Sequence, residues 1–345
     1  MGQRSFFDIE NRLRSISKLG DPRERLTAAI PWDKFRALLE PVHEKERKSN
    51  AGRKPFDVVL MLKILVLQTR YNRANEQVEY QLRDRLWFAR FLGLGIADEV
   101  PDATTVWRFR ERLKELGLLE TRFDRFEDFL AAAGFEAKHG QLMDASIVAV
   151  PIQRNPRAQN RRIKSGEVVA AWREAKRAQK DVAGRWTGER GKRYFGDKHH
   201  IRVDVEHKLI RRFVTTPANV HDSRVFDDLV DPDNVAPGVW ADSAYRREET
   251  EEVLQDAGYK SQRCEKGQRN RPLTDEQQAN NRTRSQVRSR VEHVFGFQEN
   301  RLGGKFIRTI GLAPAKVKIG LMNLTDNLMR YLQLTKDREG ISAVA

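Results

Sequence analysis

Residues 141–150 read QLMDASIVAV. This is a short β-type run in which Leu142, Met143, Ala145, Ile147 and Val148 surround one carboxylate, Asp144. It marks a change of texture. The preceding 140 residues carry helical spacing, whereas the segments that follow alternate between strand and helix patterns. A carboxylate inside an apolar strand is costly unless it faces a metal, a partner or solvent at the sheet edge.

Downstream, HIRVDVE at 200–206 and LIRRFVTT at 209–216 flank the turn residues His207 and Lys208 and predict a hairpin. Ser223–Val230 reads as a short helix, and Val239–Ala241 as a brief strand after Pro237 and Gly238. Arg247–Asp256 reads as a helix stopped by Gly258, and Tyr259–Cys264 as a strand. Asp275–Glu299 and Pro314–Leu334 read as long helices. Strands alternating with helices predict an α/β domain over 139–335, followed by a tail at 336–345.

Upstream, residues 1–138 predict an all-α domain. Phe56–Tyr71 has a nearly continuous apolar face, and Glu76–Leu86 and Trp87–Leu94 follow, ending at Gly93 and Gly95. Asp102 is placed to cap a helix in which Val106, Phe109 and Leu113 recur at helical spacing beside Arg108, Arg110 and Arg112. Residues 76–116 therefore read either as a helix-turn-helix-like DNA reader or as a helical bundle with surface arginines.

The chain has 345 residues, 64 basic against 49 acidic, a formal charge of +15. Such an excess points to a polyanion, most commonly nucleic acid. It is unevenly spread. Residues 151–198 hold 14 basic and 5 acidic side chains, 199–259 hold 7 and 13, and 260–312 hold 12 and 5. The segment 151–198, with Arg161, Arg162 and Lys176 among its bases, reads as a phosphate-facing insertion or a solvated helix face. Trp172 and Trp186 within it could stack on bases or anchor the segment. The single cysteine, Cys264, excludes a disulfide framework and Cys-rich zinc sites and suits a reducing cytosol. Arg4, Asp8, Glu10, Arg12 and Arg14 interrupt the start, so no signal peptide is expected. The most apolar run, Val58–Leu67, contains Lys63 and is too short for a membrane span, which needs about 20 apolar residues.

Two further acids stand out. Asp242 ends the strand that contains Val239–Ala241, where α/β sheets place ligands. Glu292 follows an arginine-rich helix face, Arg282, Arg284, Arg288 and Arg290. Each has an ordinary reading: a strand-end hydrogen bond for Asp144, a turn cap for Asp242, an ion pair with Arg288 for Glu292. Together they can converge on two Mg²⁺ ions, which take oxygen ligands and serve displacement at phosphorus.

With these residues in place, the chain resembles the DDE transposases of bacterial insertion sequences, in the family-five group of the family-four superfamily. The resemblance rests on VPDATTVWRFRERL at 100–113, QLMDASIV at 141–148, KRYFGDKHHIRVD at 192–204, TTPANVHDS at 215–223, VWADSAYR at 239–246 and RSRVEHVFG at 288–296. It implies a helical DNA-binding domain followed by an RNase H-like mixed-sheet catalytic domain. It also implies Asp144, Asp242 and Glu292 as catalytic, metal-holding acids, with Mg²⁺ as cofactor and Mn²⁺ able to substitute. The implied partners are double-stranded DNA and a second copy of the chain on DNA, with no membrane, in the cytoplasm at the nucleoid. Arg288, Arg284, Arg290, Lys198, Arg108, Arg110, Arg112, Arg161, Arg162 and Lys176 are the expected DNA-binding residues. Around the Glu the superfamily has a Tyr, two residues, an Arg, three residues, the Glu, six residues and a Lys. This chain has Ser285, Arg288, Glu292 and Glu299, so the Tyr and Lys are replaced, with Arg284, Arg290, Arg301 and Lys305 as nearby substitutes. The competing expectations are an RNase H-like nuclease without strand transfer and a domesticated DNA-binding repressor with a decayed site. Among the histidines, His221 is expected to cap the helix near Ser223 or position a group in the site. His293 is expected to pack, and His199-His200 to touch DNA or begin a strand. No zinc-type spacing or phosphate-binding glycine loop is present.

Overall fold

The computed structural model describes residues 7–342 except 21, 45–53, 122, 138, 168–171, 190, 235, 246, 247, 257, 266 and 268–271. Arg246, which ends one of the matched stretches, and Arg247, the expected start of a helix, lie outside the described residues, as does the end of the expected tail. The chain divides into two compact units, Met1–Arg122 with Leu324–Ala345, and Phe123–Asn323.

The first unit is helical. Asp8–Lys18 (α1) and Pro22–Ala29 (α2) precede Val58–Arg70 (α3). Asp57 starts α3 by accepting the Val59 and Leu60 N–H groups, each at 3.0 Å. Apolar side chains surround α3 on nearly every side, so it is the buried centre of its unit. Its one internal charge, Lys63, lies 5.4 Å over the Trp32 ring and 5.7 Å over Phe91. Asn75–Asp84 (α4) and Leu86–Leu92 (α5) pack on it, and Gly93 ends α5 at φ 74. Ala103–Glu115 (α6) is capped as expected: Asp102 Oδ1 accepts the Thr105 N–H at 2.6 Å. Val106, Phe109 and Leu113 are its buried face.

The second unit holds a mixed sheet. Its elements are Asp124–Ala132 (α7), Gln141–Ala149 (β1), Arg157–Lys164 (α8), Glu174–Ala178 (α9), Arg185–Glu189 (β2), Lys192–Asp204 (β3) and Ile210–Pro217 (β4). Phe226–Leu229 (α10), Gly238–Ala241 (β5), Glu248–Asp256 (α11), Lys260–Ser261 (β6), Asp275–Arg288 (α12) and Arg290–Arg301 (α13) follow. The last helix, Leu312–Ser342 (α14), has residues in both units. β3 is central to an antiparallel set with β1, β2 and β4, and β1 then pairs in parallel with β5, and β5 with β6. An antiparallel set joined to two parallel strands is the RNase H-like mixed sheet, in an α/β chain with an all-α start. Met143, Val239, Ala241, Phe226, Leu229, Tyr245 and Leu254 pack together on one face of β1 and β5.

Several expectations change. β3 begins at Lys192, so β2 and the start of β3 are part of the sheet and the basic excursion proper is 151–184. Gly196 makes this possible: a Cβ there would stand 2.2 Å from the Val148 carbonyl oxygen, where β3 crosses β1. His199 and His200 are mid-strand and fully buried rather than at a strand start or on DNA. The expected strand 259–264 is a regular strand only at Lys260–Ser261, but it runs on beside β5, with the Gln262 and Cys264 N–H groups donating to the Val239 and Ala241 carbonyls at 2.8 and 3.4 Å; the short helix near 223 is a 3-10 turn, Asp222–Arg224, followed by α10. The expected helix 275–299 is interrupted at Ser289, one residue after Arg288. α14 starts before Pro314 and runs beyond Leu334 into the expected tail. The second compact unit begins at Phe123, whose ring stands edge-on to Phe213 of β4 at 5.2 Å. No described helix is long and apolar enough to cross a membrane.

One buried ionic cluster ties α7 to the sheet. Arg211 donates from Nε to Asp204 Oδ2 at 3.1 Å, from Nη1 to Glu127 Oε2 at 2.8 Å and from Nη2 to the Phe135 carbonyl at 2.8 Å. Burial pushes the Glu127 carboxyl up to about 7, against the pull of Arg211.

Candidate active site

The site grows from the register of two parallel strands. Met143 of β1 pairs with Ala241 of β5, and both side chains enter the core cluster. The next residue on each strand turns to the opposite face. Asp144 and Asp242 therefore stand side by side at the carboxyl end of β5. Asp144 Oδ1 accepts the Ala145 N–H at 2.9 Å, and Oδ2 accepts from Arg288 Nη1 at 3.0 Å. Asp242 Oδ1 accepts the Ser243 N–H at 2.6 Å.

Burial pushes the Asp144 carboxyl up to about 6; Arg288 and the Ala145 N–H pull it down, and the charges of Asp242 and Asp222 push it further up. The Tyr245 phenol, on the turn after Asp242, is raised by burial and by Asp222, Asp144 and Asp242. Asp222 is thus a third acid in the field of Asp144. Its Oδ1 accepts from Lys198 Nζ at 2.8 Å, and Lys198 also donates to the Val220 carbonyl at 3.1 Å. His200 closes this group with Nδ1 at 3.3 Å from the Tyr245 hydroxyl and Nε2 at 3.0 Å from Thr216 Oγ1. Burial, with Lys198 and His199 adding, holds His200 down at about 3, so it is neutral.

Glu292 sits in the first turn of α13, the helix that lies against β1. Its side chain is exposed and lines a groove of about 460 Å³ with Ser146, Ile147, Tyr194, Glu299 and Lys305. Among the described residues, no three His, Cys, Asp or Glu side chains stand together closely enough to hold a metal ion. Two of the three expected acids are thus adjacent, and the third lines the groove along β1.

The expected DNA-binding residues separate into two groups. Arg108 on α6, Arg161 and Arg162 on α8 and Lys176 on α9 are exposed. The others are engaged within the chain. Arg110 is half-buried with Nη1 3.4 Å from Asn75 Oδ1, and Arg112 pairs with Glu115 at 3.0 Å. Arg284 donates to the Arg263 carbonyl at 3.0 Å and to Glu265 at 3.2 Å, and Arg290 donates to the Val205 carbonyl at 2.9 Å. Lys198 faces Asp222 and Arg288 faces Asp144. Ser285 and Glu299 occupy the signature's Tyr and Lys positions. Ser285 Oγ lies 3.6 Å from Cys264 Sγ, while Glu299 takes Lys305 Nζ at 3.3 Å, which brings a lysine to that position from elsewhere in the chain. Trp172 is buried against Ile163 and anchors the basic segment, whereas Trp186 is exposed. His221 caps the turn, with Nδ1 2.8 Å from Ser223 Oγ, and His293 is exposed rather than packed. Asp222 and Tyr245 were visible in the sequence only as members of the stretches 215–223 and 239–246.

Residues 140–328, more than half of the chain, match the family described as Transposase DDE domain, and residues 11–112 match Transposase domain (DUF772). The chain belongs to the DDE transposase family. It is a DNA-cleaving and transposing enzyme. Among solved structures it is similar to the piggyBac transposase in a synaptic complex with hairpin DNA, determined by cryo-EM. The identity is 12% and the TM-score 0.45, over 90% of this chain and 75% of that chain. DDE transposase domains generally use divalent metal ions. The adjacent carboxylates of Asp144 and Asp242 fit that requirement in their chemistry: both are hard oxygen donors, and Asp144 is a half-buried acid whose charge is balanced by the Arg288 guanidinium.

Proposed function

We propose that this transposase binds the terminal inverted repeats of an insertion sequence of the family-five group, cuts the 3′ strands at both ends and joins them to target DNA. The observation that carries this reading is the placement of Asp144 and Asp242 one residue beyond the last pair, Met143 and Ala241, of neighbouring parallel strands, with Arg288 reaching the Asp144 carboxylate. Asp144 and Asp242 would hold Mg²⁺, or Mn²⁺ in its place, and Glu292, which stands apart from them in the groove along β1, would complete the set on the family pattern. Bound there, the metal would supply charge neutralisation at the phosphate and a more acidic water or 3′-hydroxyl for in-line displacement at phosphorus. The chain's own groups do the rest. Asp144 is mostly ionised at neutral pH, as a metal ligand must be. Arg288 offers its guanidinium to the non-bridging phosphate oxygens once it leaves Asp144. Lys198, tied to Asp222, and neutral His200, tied to Tyr245, fix the turn that carries Asp242. Transesterification conserves the number of phosphodiester bonds, so no nucleotide hydrolysis is required.

Exposed Trp107 and Arg108 on α6 support a role for 76–116 in reading DNA. Exposed Arg161, Arg162 and Lys176 support a phosphate-holding role for 151–184. Two ends must be held together for joining, so a dimer on DNA, acting at the nucleoid, is part of this reading. The test incubates the protein with Mg²⁺, linear DNA carrying the element's own ends, and a circular target. Joined products in which the element's 3′ ends are linked to target strands are expected. Cut ends without joined products would replace this reading with a nuclease lacking strand transfer.

A further inference from the structure

A second group of acids lies farther along the same sheet. Asp197 on β3 is opposite Val148 of β1 and Pro217 of β4. It is fully buried, and neither carboxylate oxygen has a hydrogen-bond partner. Asp181 precedes β2, and β2 pairs Arg185 with Gly196, the residue before Asp197. Asp181 is 4% exposed; its Oδ1 accepts the N–H groups of Ala183 at 3.0 Å and Gly184 at 2.7 Å, while its Oδ2 is buried and unpartnered. Thr215, 3% exposed, lies on β4 two residues before the one opposite Asp197 and so shares its face. Its Oγ1 is also buried without a partner.

The nearby bases do not serve these oxygens. Lys180 Nζ is held by Asn155 Oδ1 at 2.7 Å, and Arg185 Nη1 by the carbonyls of Val182, Ala183 and Gly184 at 2.8, 3.1 and 3.0 Å. Lys198 faces Asp222 from the other side of the sheet. His199 shares the face, but its Nε2 is taken by Asn323 at 3.0 Å. A buried carboxylate is neutralised by a proton or by a cation. Burial, with Asp181 adding to it, pushes the Asp197 carboxyl up to about 7, so a proton would neutralise it only in part at neutral pH.

We propose that Asp197, Asp181 and Thr215 bind a hard divalent cation, Mg²⁺ or Ca²⁺, at a site separate from the catalytic acids. The donors are all oxygen, which selects such ions over softer ones. Val148 is four residues along β1 from Asp144, about 13 Å at the rise of a strand, so one ion cannot serve both sites. The ion pins the end of the basic segment to the centre of the sheet and is structural.

The test uses the full chain carrying Asp144→Asn, Asp242→Asn and Glu292→Gln together, which removes the catalytic ligands. Calorimetric titration with CaCl₂ and with MgCl₂ should still show one bound ion, and saturation should raise Tm by about 5 °C. Tb³⁺ luminescence should be sensitised through Trp186, whose ring lies 5.5 Å from that of Phe195, two residues before Asp197. Adding Asp197→Asn, or in a separate variant Asp181→Asn, should abolish the titration and the Tm rise while circular dichroism stays native. No ion bound to the triple variant overturns the proposal, as does binding that survives Asp197→Asn and Asp181→Asn. A Tm raised by Asp197→Asn without any ion response also overturns it and assigns the pair a shared proton. None of these outcomes bears on Asp144, Asp242 and Glu292, so the proposed chemistry stands or falls separately.

Discussion

Asp144 is a carboxylate whose behaviour is set by opposing neighbours. Burial raises it to about 6, Arg288 pulls down, and Asp242 and Asp222 push up. A metal ligand must be ionised, so cleavage should fall as the pH drops through about 6. Removing Arg288 takes away the main lowering charge, so Arg288→Ala should move that acidic limb to higher pH. Removing Asp222 takes away a raising charge, so Asp222→Asn should move it to lower pH. Rates of end cleavage measured across the acidic limb check both signs; a limb unmoved by either variant would mean that Asp144 does not set it. At this scale the sequence was informative about Asp144 and Asp242, because a lone acid at an apolar strand is conspicuous. It was silent about Arg288 bonding Asp144 and about Asp222 joining the field, because both are far from Asp144 along the chain and meet it only through the fold.

At the scale of elements, α7 is held to the sheet by one buried guanidinium. Arg211→Ala takes the guanidinium from half-buried Glu127 and from buried Asp204, which keeps the His207 and Leu209 N–H groups, a loss of about 3 kcal/mol in stability. Urea unfolding at neutral pH measures it. Glu127 titrates near 7 in the fold against an ordinary 4.5, so its protonation favours the folded state. Its contribution is fully present below about 4.5 and lost as pH rises through about 7, so the deficit of Arg211→Ala should shrink as the pH is lowered across that window. A deficit that grows on acidification would contradict the arrangement. Strands with apolar alternation, β1 and the paired parts of β3 and β4, were legible from their residues. β2 and the start of β3 were not, because Arg185, Lys192 and Arg193 read as surface charge and the pairing depends on the close approach at Gly196. The interruption at Ser289 was likewise hidden, since Asp275–Glu299 has uninterrupted helical composition.

On the whole molecule, the charge excess resolves into surfaces with different roles. Much of the expected arginine surface is spent on carbonyls and carboxylates of the chain itself, as Arg284, Arg290 and Arg288 show. The exposed bases of 151–184 remain for phosphates. Arg161→Glu with Arg162→Glu should weaken DNA binding on every sequence tested and flatten the slope of log K against log salt by about 0.9 for each phosphate the protein no longer neutralises. An unchanged slope would remove that segment from the interface. The proposed metal-holding role of Asp242 beside Asp144 is tested most directly by Mg²⁺-dependent nicking of DNA carrying the element's ends by Asp242→Asn, with end binding followed in parallel. Nicking should fall by about 10³-fold or more while binding is unchanged; nicking that persists at the level of the unaltered enzyme would contradict the assignment.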